Sequence, residues 1–195
     1  LQAALDGLDA RNWSARPDRV EVLRRALSGK GGVIRKALAE TAALDMTPQT
    51  LPGPTGESNR LSMYPKGMVL CLGPTLEIAI AQAVQALGCG SPALVVAPGA
   101  SQAVGPLVEA GAPVAGLDGS VAAETLTELA GIASVAAAGT SDWTRELRLA
   151  LAAREGAIVP LETQAIAPER YVVERHLCID TTAAGGNASL LATAE

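Results

Sequence analysis

The sequence predicts an α/β fold with a mostly parallel sheet and helices on both faces. From Met68 onward, short apolar runs alternate with helical stretches, which is typical of repeated β-α-β units. Hydrophobic residues make up 49% of the 195 residues, which is enough for one domain with a sizeable core. The chain has no phenylalanine, so we expect a core of closely packed small side chains, with alanine-rich helices on valine and leucine strands.

The first 46 residues predict a helical arm. Apolar residues recur three or four positions apart among basic ones, at Val20, Leu23, Leu27, Ile34 and Leu38. Residues 28–32 interrupt this pattern as a turn. The turn contains Lys30 and several glycines, but it lacks the preceding strand and the Lys-Ser/Thr pair of a P-loop. We interpret it as a loop between helices.

Residues 47–66 are predicted to connect this arm to the main body. The stretch 51–59 is rich in proline, glycine, threonine and serine, which cannot continue a helix and offer few apolar groups to bury. We therefore expect the connector to be exposed to solvent.

The main body, residues 67–168, is predicted to be Rossmann-like. Apolar runs that predict strands lie at 68–72, 93–97, 113–116, 133–138 and 157–160. Stretches that predict helices lie at 76–87, 101–110, 121–130 and 144–154. Strands and helices that alternate at this spacing indicate a parallel sheet. Each crossover helix returns the chain to the end of the sheet where the previous strand began, so the next strand runs in the same direction.

The C-terminal segment, residues 169–195, departs from this alternation. Residues 171–180 predict one long strand, and a run of small residues follows at 181–191. Since no crossover helix precedes this strand, we expect a β-arm outside the main sheet.

The charge and composition exclude several classes of function. The net charge is −5 and the basic residues form no stripe, so binding to nucleic acid is not expected. No apolar stretch reaches the roughly 20 residues that a bilayer span requires, and we find no signal peptide. Three cysteines without CxxC spacing and a single histidine provide no metal site. We therefore expect a cytoplasmic protein with reduced cysteines.

The first residue, Leu1, leads directly into a helical pattern. We interpret the chain as a piece of a longer protein.

Two groups of segments resemble the aldehyde dehydrogenase superfamily. Residues 64–74, 86–90 and 94–98 are similar to the first Rossmann segment of that superfamily. A second similarity lies at Gly139-Thr140 and continues through 147–154 and 158–161. Together these segments cover about half of the chain.

The connector 51–59 and the tail 174–190 are more specific. Both resemble the C-terminal region of the longer members of the proline-utilisation protein A family, which are bifunctional flavoenzymes. The resemblance implies a parent that oxidises proline to glutamate, with FAD in one active site, NAD in the other and a tunnel between them. It also implies that the extra domain packs on the aldehyde dehydrogenase domain of the same polypeptide, in a cytoplasmic protein whose parent is a candidate for peripheral association with the inner membrane.

The chain departs from the superfamily at the positions that carry its chemistry. The asparagine that stabilises the oxyanion falls at or beside Leu76, and the lysine that holds the adenine ribose falls at Ala97. Glu162-Thr163 resembles the Glu-Thr of the general-base motif, but Gln164-Ala165 replaces the glycines that follow it. Cys71, Cys89 and Cys178 lie in predicted strands or at a helix end, which does not suit a nucleophile. We therefore expect no catalytic residue, no bound cofactor and no metal in this chain.

The distribution of charged residues also supports the expectation that no cofactor is bound. Residues 67–144 contain no lysine or arginine. Their charged residues are all acidic: Glu77, Glu109, Asp118, Glu124, Glu128 and Asp142. Gly139 and Thr140 remain weak candidates for a phosphate contact, although a simple turn between strand and helix explains them better. We interpret His176, Trp13 and Trp143 as surface or packing residues.

The leading hypothesis is a non-catalytic domain that helps close the channelling tunnel of its parent. Its predicted interface is the small-residue run in the tail: Thr181, Thr182, Ala183, Ala184, Gly185, Gly186, Asn187, Ala188 and Ser189. The main alternative is an autonomous NAD-binding or aldehyde-oxidising module. A binder of an unidentified small molecule is a third reading, which rests on fold analogy alone.

Overall fold

In a computed structural model, which describes residues 1–180, the chain forms two compact units. One unit contains residues 1–45 and 65–172. The described part of the other contains residues 46–64 and 173–180. The division into four parts that the sequence suggests stays a prediction.

The first unit begins with the predicted helices. They are α1 (Gln2–Asp6), α2 (Arg11–Ser14), α3 (Arg19–Ala26) and α4 (Gly32–Ala43). The indole of Trp13 is buried and donates a hydrogen bond of 2.8 Å to the carbonyl of Leu87, and Arg19 donates to the carbonyl of Gly88. These bonds fasten the arm to the end of the first long helix of the body, so Trp13 is a packing residue as predicted.

The body of this unit is a parallel sheet of five strands in the order β5-β4-β3-β6-β7. The strands are β3 (Val69–Gly73), β4 (Ala93–Val96), β5 (Val114–Leu117), β6 (Ser134–Ala137) and β7 (Leu161–Glu162). The helices are α5 (Leu76–Gly88), α6 (Ala100–Ala103), α7 (Gly105–Glu109), α8 (Thr125–Glu128) and α9 (Ser141–Ala152), with a 3-10 turn at Pro168–Tyr171. The predicted Rossmann-like class is confirmed.

Each face of the sheet has its own core. Leu70, Leu94 and Val135 pack in one cluster with Leu147 and Leu151 of α9. Because side chains alternate along a strand, the residues between them face the opposite side, where α5 is buried along most of its length. The order of strands reverses between β3 and β6, which is where ligands bind in open α/β sheets.

Three predicted elements differ from the structure. The helix predicted at 121–130 is reduced to α8, between Gly119 and Gly131, which both have positive φ. The helix predicted at 101–110 divides into α6 and α7 beside Pro106. The last strand begins at Leu161 and not at 157, because Pro160 has no N–H to donate and contributes only its carbonyl, which accepts from Val135.

The second unit contains a separate sheet in the order β1-β2-β8. Its strands are β1 (Gln49–Leu51), β2 (Glu57–Pro65) and β8 (Val172–Asp180), and β1 pairs antiparallel to β2. The predicted β-arm outside the main sheet is therefore confirmed. The predicted connector is largely exposed, but it is more ordered than expected because both β1 and β2 lie within it. The predicted interface at 181–189 lies outside the described residues.

Within residues 1–180, no helix is long and apolar enough to cross a membrane.

Candidate functional site

A crevice opens at the carboxyl ends of β3, β4 and β5. Its volume is about 260 Å³, and Leu72, Val96, Ala97, Val121 and Trp143 form most of its wall. Ligand sites of small molecules usually enclose about 300–1,000 Å³, so this crevice is small. Its position beside the reversal of strand order makes it the candidate site of the fold.

Trp143 narrows this crevice. Trp143 lies in the first turn of α9, and its ring packs directly on Gly139, where even a Cβ atom would collide with it. The ring thus lies at the turn that leads from β6 into α9. Sequence reasoning assigned Trp143 to packing but did not place it at the candidate site.

The candidates Gly139 and Thr140 form this same turn. Thr140 is the N-cap of α9, its backbone is extended, and its carbonyl accepts a bond of 2.9 Å from the Thr144 hydroxyl. The geometry is that of an ordinary turn between strand and helix. A phosphate contact at these two residues stays a prediction.

The electrostatics of the crevice do not favour an anion. No lysine or arginine occurs between residues 67 and 144. Asp118, at the end of β5, accepts two bonds from Ser101, from its hydroxyl at 2.6 Å and its backbone N–H at 3.0 Å. These hydrogen bonds hold the pKa of the Asp118 carboxyl below its usual value, so it is negative at neutral pH.

The two positions to which the resemblance assigns the ribose-binding lysine and the oxyanion-stabilising asparagine, Ala97 and Leu76, are apolar. Ala97 is buried in the wall of the crevice and offers only a methyl group. Leu76 lies at the start of α5 and lines a second cavity, of about 350 Å³, together with Leu27, Ile34 and Ile80. Neither side chain can donate a hydrogen bond.

Glu162, the candidate general base, is held by an ion pair. The Lys66 ammonium lies 2.9 Å from the Glu162 carboxylate and also donates a bond of 2.8 Å to the carbonyl of Arg170. The two side chains are only 17% and 11% exposed. The Glu162 carboxylate accepts a hydrogen bond from the partly buried ammonium of Lys66, which leaves it poorly placed to accept a proton from a substrate. Lys66 was missed by sequence reasoning, since it is 96 positions away.

The two buried cysteines are poor nucleophiles. Cys71 on β3 is fully buried, and burial raises its pKa far above the ordinary value. Burial also raises the pKa of Cys89, at the end of α5, to about 12. Cys178 is exposed on β8. The buried thiols are therefore protonated at neutral pH, and the thiolate is the reactive form.

Thiol labelling tests this arrangement. With Ellman's reagent at pH 8, we expect Cys178 alone to react promptly in the folded chain, and all three cysteines to react after unfolding in guanidinium. The Cys178→Ser variant serves as the control and should lose the prompt reaction. Prompt reaction of more than one thiol in the native wild type would contradict the burial of Cys71 and Cys89.

Within residues 1–180, no group of three or more His, Cys, Asp or Glu side chains could hold a metal ion. His176 lies exposed on β8, in agreement with a surface role.

Comparison with known proteins identifies the relatives of this chain. No protein-family model matches it. It is 39% identical over 150 residues to the bifunctional protein PutA of Salmonella typhimurium, and 37% identical over 157 residues to that of Escherichia coli. The chain is homologous to a segment of PutA. Each alignment covers 74% of this chain and 11% of the relative, so the chain spans only a small part of the PutA proteins it matches.

Solved structures agree with this homology. A crystal structure of a Bradyrhizobium japonicum PutA mutant matches with a TM-score of 0.66 and 28% identity, over 82% of this chain and 21% of that one. An NAD-dependent benzaldehyde dehydrogenase from Corynebacterium glutamicum matches with a TM-score of 0.62, over 82% of this chain and 45% of the other. At 16% identity the second match shows the fold alone. The resemblance to PutA and to the aldehyde dehydrogenase fold is confirmed.

Proposed function

We propose that this chain is a non-catalytic structural domain of a longer PutA-like protein. In this proposal it packs on the aldehyde dehydrogenase domain of the same polypeptide and helps to close the channelling tunnel of proline catabolism. The parent would be a cytoplasmic, bifunctional oxidoreductase, with proline dehydrogenase activity on FAD and glutamate semialdehyde dehydrogenase activity on NAD. Homology to PutA over 74% of the chain supports this assignment.

The ion pair of Glu162 carries the non-catalytic part of the proposal. Glu162 is the one residue of the chain that resembles a catalytic group of aldehyde dehydrogenases. Its carboxylate forms an ion pair with Lys66. The chain provides no oxyanion donor at Leu76, and the cysteines of its body, Cys71 and Cys89, are buried. Covalent aldehyde oxidation needs all of these groups together.

The residues around the crevice are poorly suited to bind a dinucleotide tightly. Ala97 offers no hydrogen bond to a ribose, Trp143 fills the turn at the start of α9, and the nearby charge of Asp118 repels phosphate. A helix N-terminus can bind a pyrophosphate without a cation, but here the indole of Trp143 packs on Gly139, directly before the N-terminus of α9.

Isothermal titration calorimetry with NAD tests this part of the proposal. We expect no saturable binding up to about 1 mM, which corresponds to less than about 4 kcal/mol of binding free energy. The NAD-dependent benzaldehyde dehydrogenase named above is the positive control, and an assay with glutamate semialdehyde and NAD should show no NADH formation by this chain. Saturable binding at micromolar NAD would overturn the proposal and favour the alternative, an autonomous NAD-binding module.

A further inference from the structure

Residues 119–131, which lie between β5 and β6, form part of the wall of the crevice. We call these residues the flap. Gly119, Ser120 and Val121, at its beginning, line the crevice together with residues at the ends of the sheet strands. Ala97 is one of those residues, and its side chain is only 5% exposed. The position of the flap therefore decides how much of the crevice solvent can reach.

The backbone of the flap is bonded locally. Within residues 1–180, its backbone–backbone hydrogen bonds stay inside the flap, where the N–H groups of residues 125–127 donate to the carbonyls of residues 122–124. Gly119 and Gly131, at its two ends, have φ of 134° and 75°, and an added Cβ would meet no atom within 4 Å at either position. Their backbone conformation, and not close packing, thus requires glycine. A segment with only local backbone bonds between two such residues can open as a unit.

Arg154 fastens the flap from the end of α9. Its guanidinium donates a hydrogen bond to the carbonyl of Leu126 and another, of 2.7 Å, to the carbonyl of Leu129. Both leucines also bury their side chains in the core cluster of this face of the sheet. Among the described residues the guanidinium has no further partner, and its Nε atom is buried without one. Hydrogen bonds from a charged donor are stronger than neutral ones, so Arg154 is a firm attachment for the flap.

Gln2 fastens the flap from the N-terminal helix α1. The Gln2 side-chain amide accepts a bond of 3.0 Å from the N–H of Ala130 and donates one of 3.4 Å to the carbonyl of the same residue. Leu5, on the same helix, is 4% exposed and belongs to the same core cluster as Leu126. Packing of α1 thus places the Gln2 amide against the end of the flap, although 128 positions separate the two residues.

We propose that the flap opens and closes over the crevice, and that Gln2 and Arg154 are the two latches that hold it closed. Opening breaks the four hydrogen bonds of these latches, turns the flap about the glycines at its ends, and exposes Ala97. The position of α1 thereby controls access to the crevice, because any force that draws Gln2 away from Ala130 raises the open population. This inference depends neither on the proposed function nor on what the crevice binds.

A thiol in the wall of the crevice tests the proposal. The reporter is Ala97→Cys in a Cys178→Ser background of the full chain, labelled with Ellman's reagent at pH 8. The two natural thiols that remain, Cys71 and Cys89, are buried. Because the reporter is buried while the flap is closed, its labelling rate follows the population of the open state.

Removal of either latch is expected to speed the labelling of the reporter. We expect an increase of about tenfold or more for Arg154→Gln, which loses a charged donor, and of about fivefold for Gln2→Ala, which loses neutral hydrogen bonds. The matched controls are Arg148→Gln and Gln164→Ala, which change exposed side chains of the same types. Both controls should label within about twofold of the unaltered reporter.

Two readouts separate the opening of the flap from a general loss of stability. Labelling of Cys71 and Cys89 should stay slow in both latch variants, and amide exchange should accelerate in residues 120–130 but not in residues 69–73 or 93–96. An unchanged reporter rate in both variants, an equal rise in the controls, or joint exposure of the buried cysteines would overturn the proposal. An effect of Arg154→Gln alone would overturn the control of the flap by α1.

Discussion

The Glu162→Leu variant is expected to be about 3–5 kcal/mol less stable than the wild-type chain. The substitution removes the partner of Lys66, whose side chain is only 17% exposed, and leaves the charge of its ammonium without a counter-ion in a largely buried position. Lys66 also holds the carbonyl of Arg170, and its N–H donates to the carbonyl of Tyr171, so the loss extends to the turn before β8. For a chain of this size, the melting temperature should fall by roughly 6–20 °C, measured by circular dichroism.

Two controls make this expectation specific. The double variant Lys66→Met/Glu162→Leu should recover much of the lost stability, because no unpaired charge remains. Arg24→Ala removes an exposed ion pair with Glu21 and should change stability by less than about 1 kcal/mol. If the free energy of unfolding of Glu162→Leu were within about 1 kcal/mol of the wild-type value, the ion pair would not stabilise the fold as its burial indicates.

The main sheet could be predicted from the sequence because its three central strands are fully buried. β3, β4 and β6 read as continuous apolar runs, and glycine or proline residues end them. The prediction misplaced β7, the last strand of the main sheet, because the run at 157–160 looks apolar. In the structure Ile158 is 94% exposed, and Pro160 has no N–H to donate to the neighbouring strand. Apolar composition alone does not show whether a residue packs inward.

The candidate site was only partly predictable. Leu76 and Ala97 were assigned to superfamily positions by resemblance, and that assignment stays a prediction; the structure places the two residues in the walls of two cavities. The ion pair of Lys66 with Glu162 and the contact of Trp143 with Gly139 depend on tertiary packing. No sequence signal links residues 66 and 162, so the reason why the candidate base is blocked emerged only from the structure.

Removing residues 172–195 from the longer PutA-like protein is expected to lower its aldehyde dehydrogenase activity by about tenfold or more, equivalent to about 1.4 kcal/mol. The deletion removes β8, and with it the exposed apolar side chains of Leu177 and Ile179, which are available to pack on the dehydrogenase domain in the proposed function. Proline oxidation should remain nearly unchanged, because the proposed contact lies on the other catalytic domain. Coupled NADH formation from proline should show a lag, since the intermediate would escape from an open tunnel before its second oxidation.

A shorter deletion, of residues 181–195, separates the tail from the strand. If the predicted interface at 181–189 seals the tunnel, this variant should show the lag as well, although it keeps all of β8. A lag in the longer deletion alone would place the contact on β8 and make the predicted interface in the tail wrong. Unchanged dehydrogenase activity and no lag in both variants would contradict the structural role, because neither the strand nor the tail would then contribute to the tunnel or to the neighbouring active site.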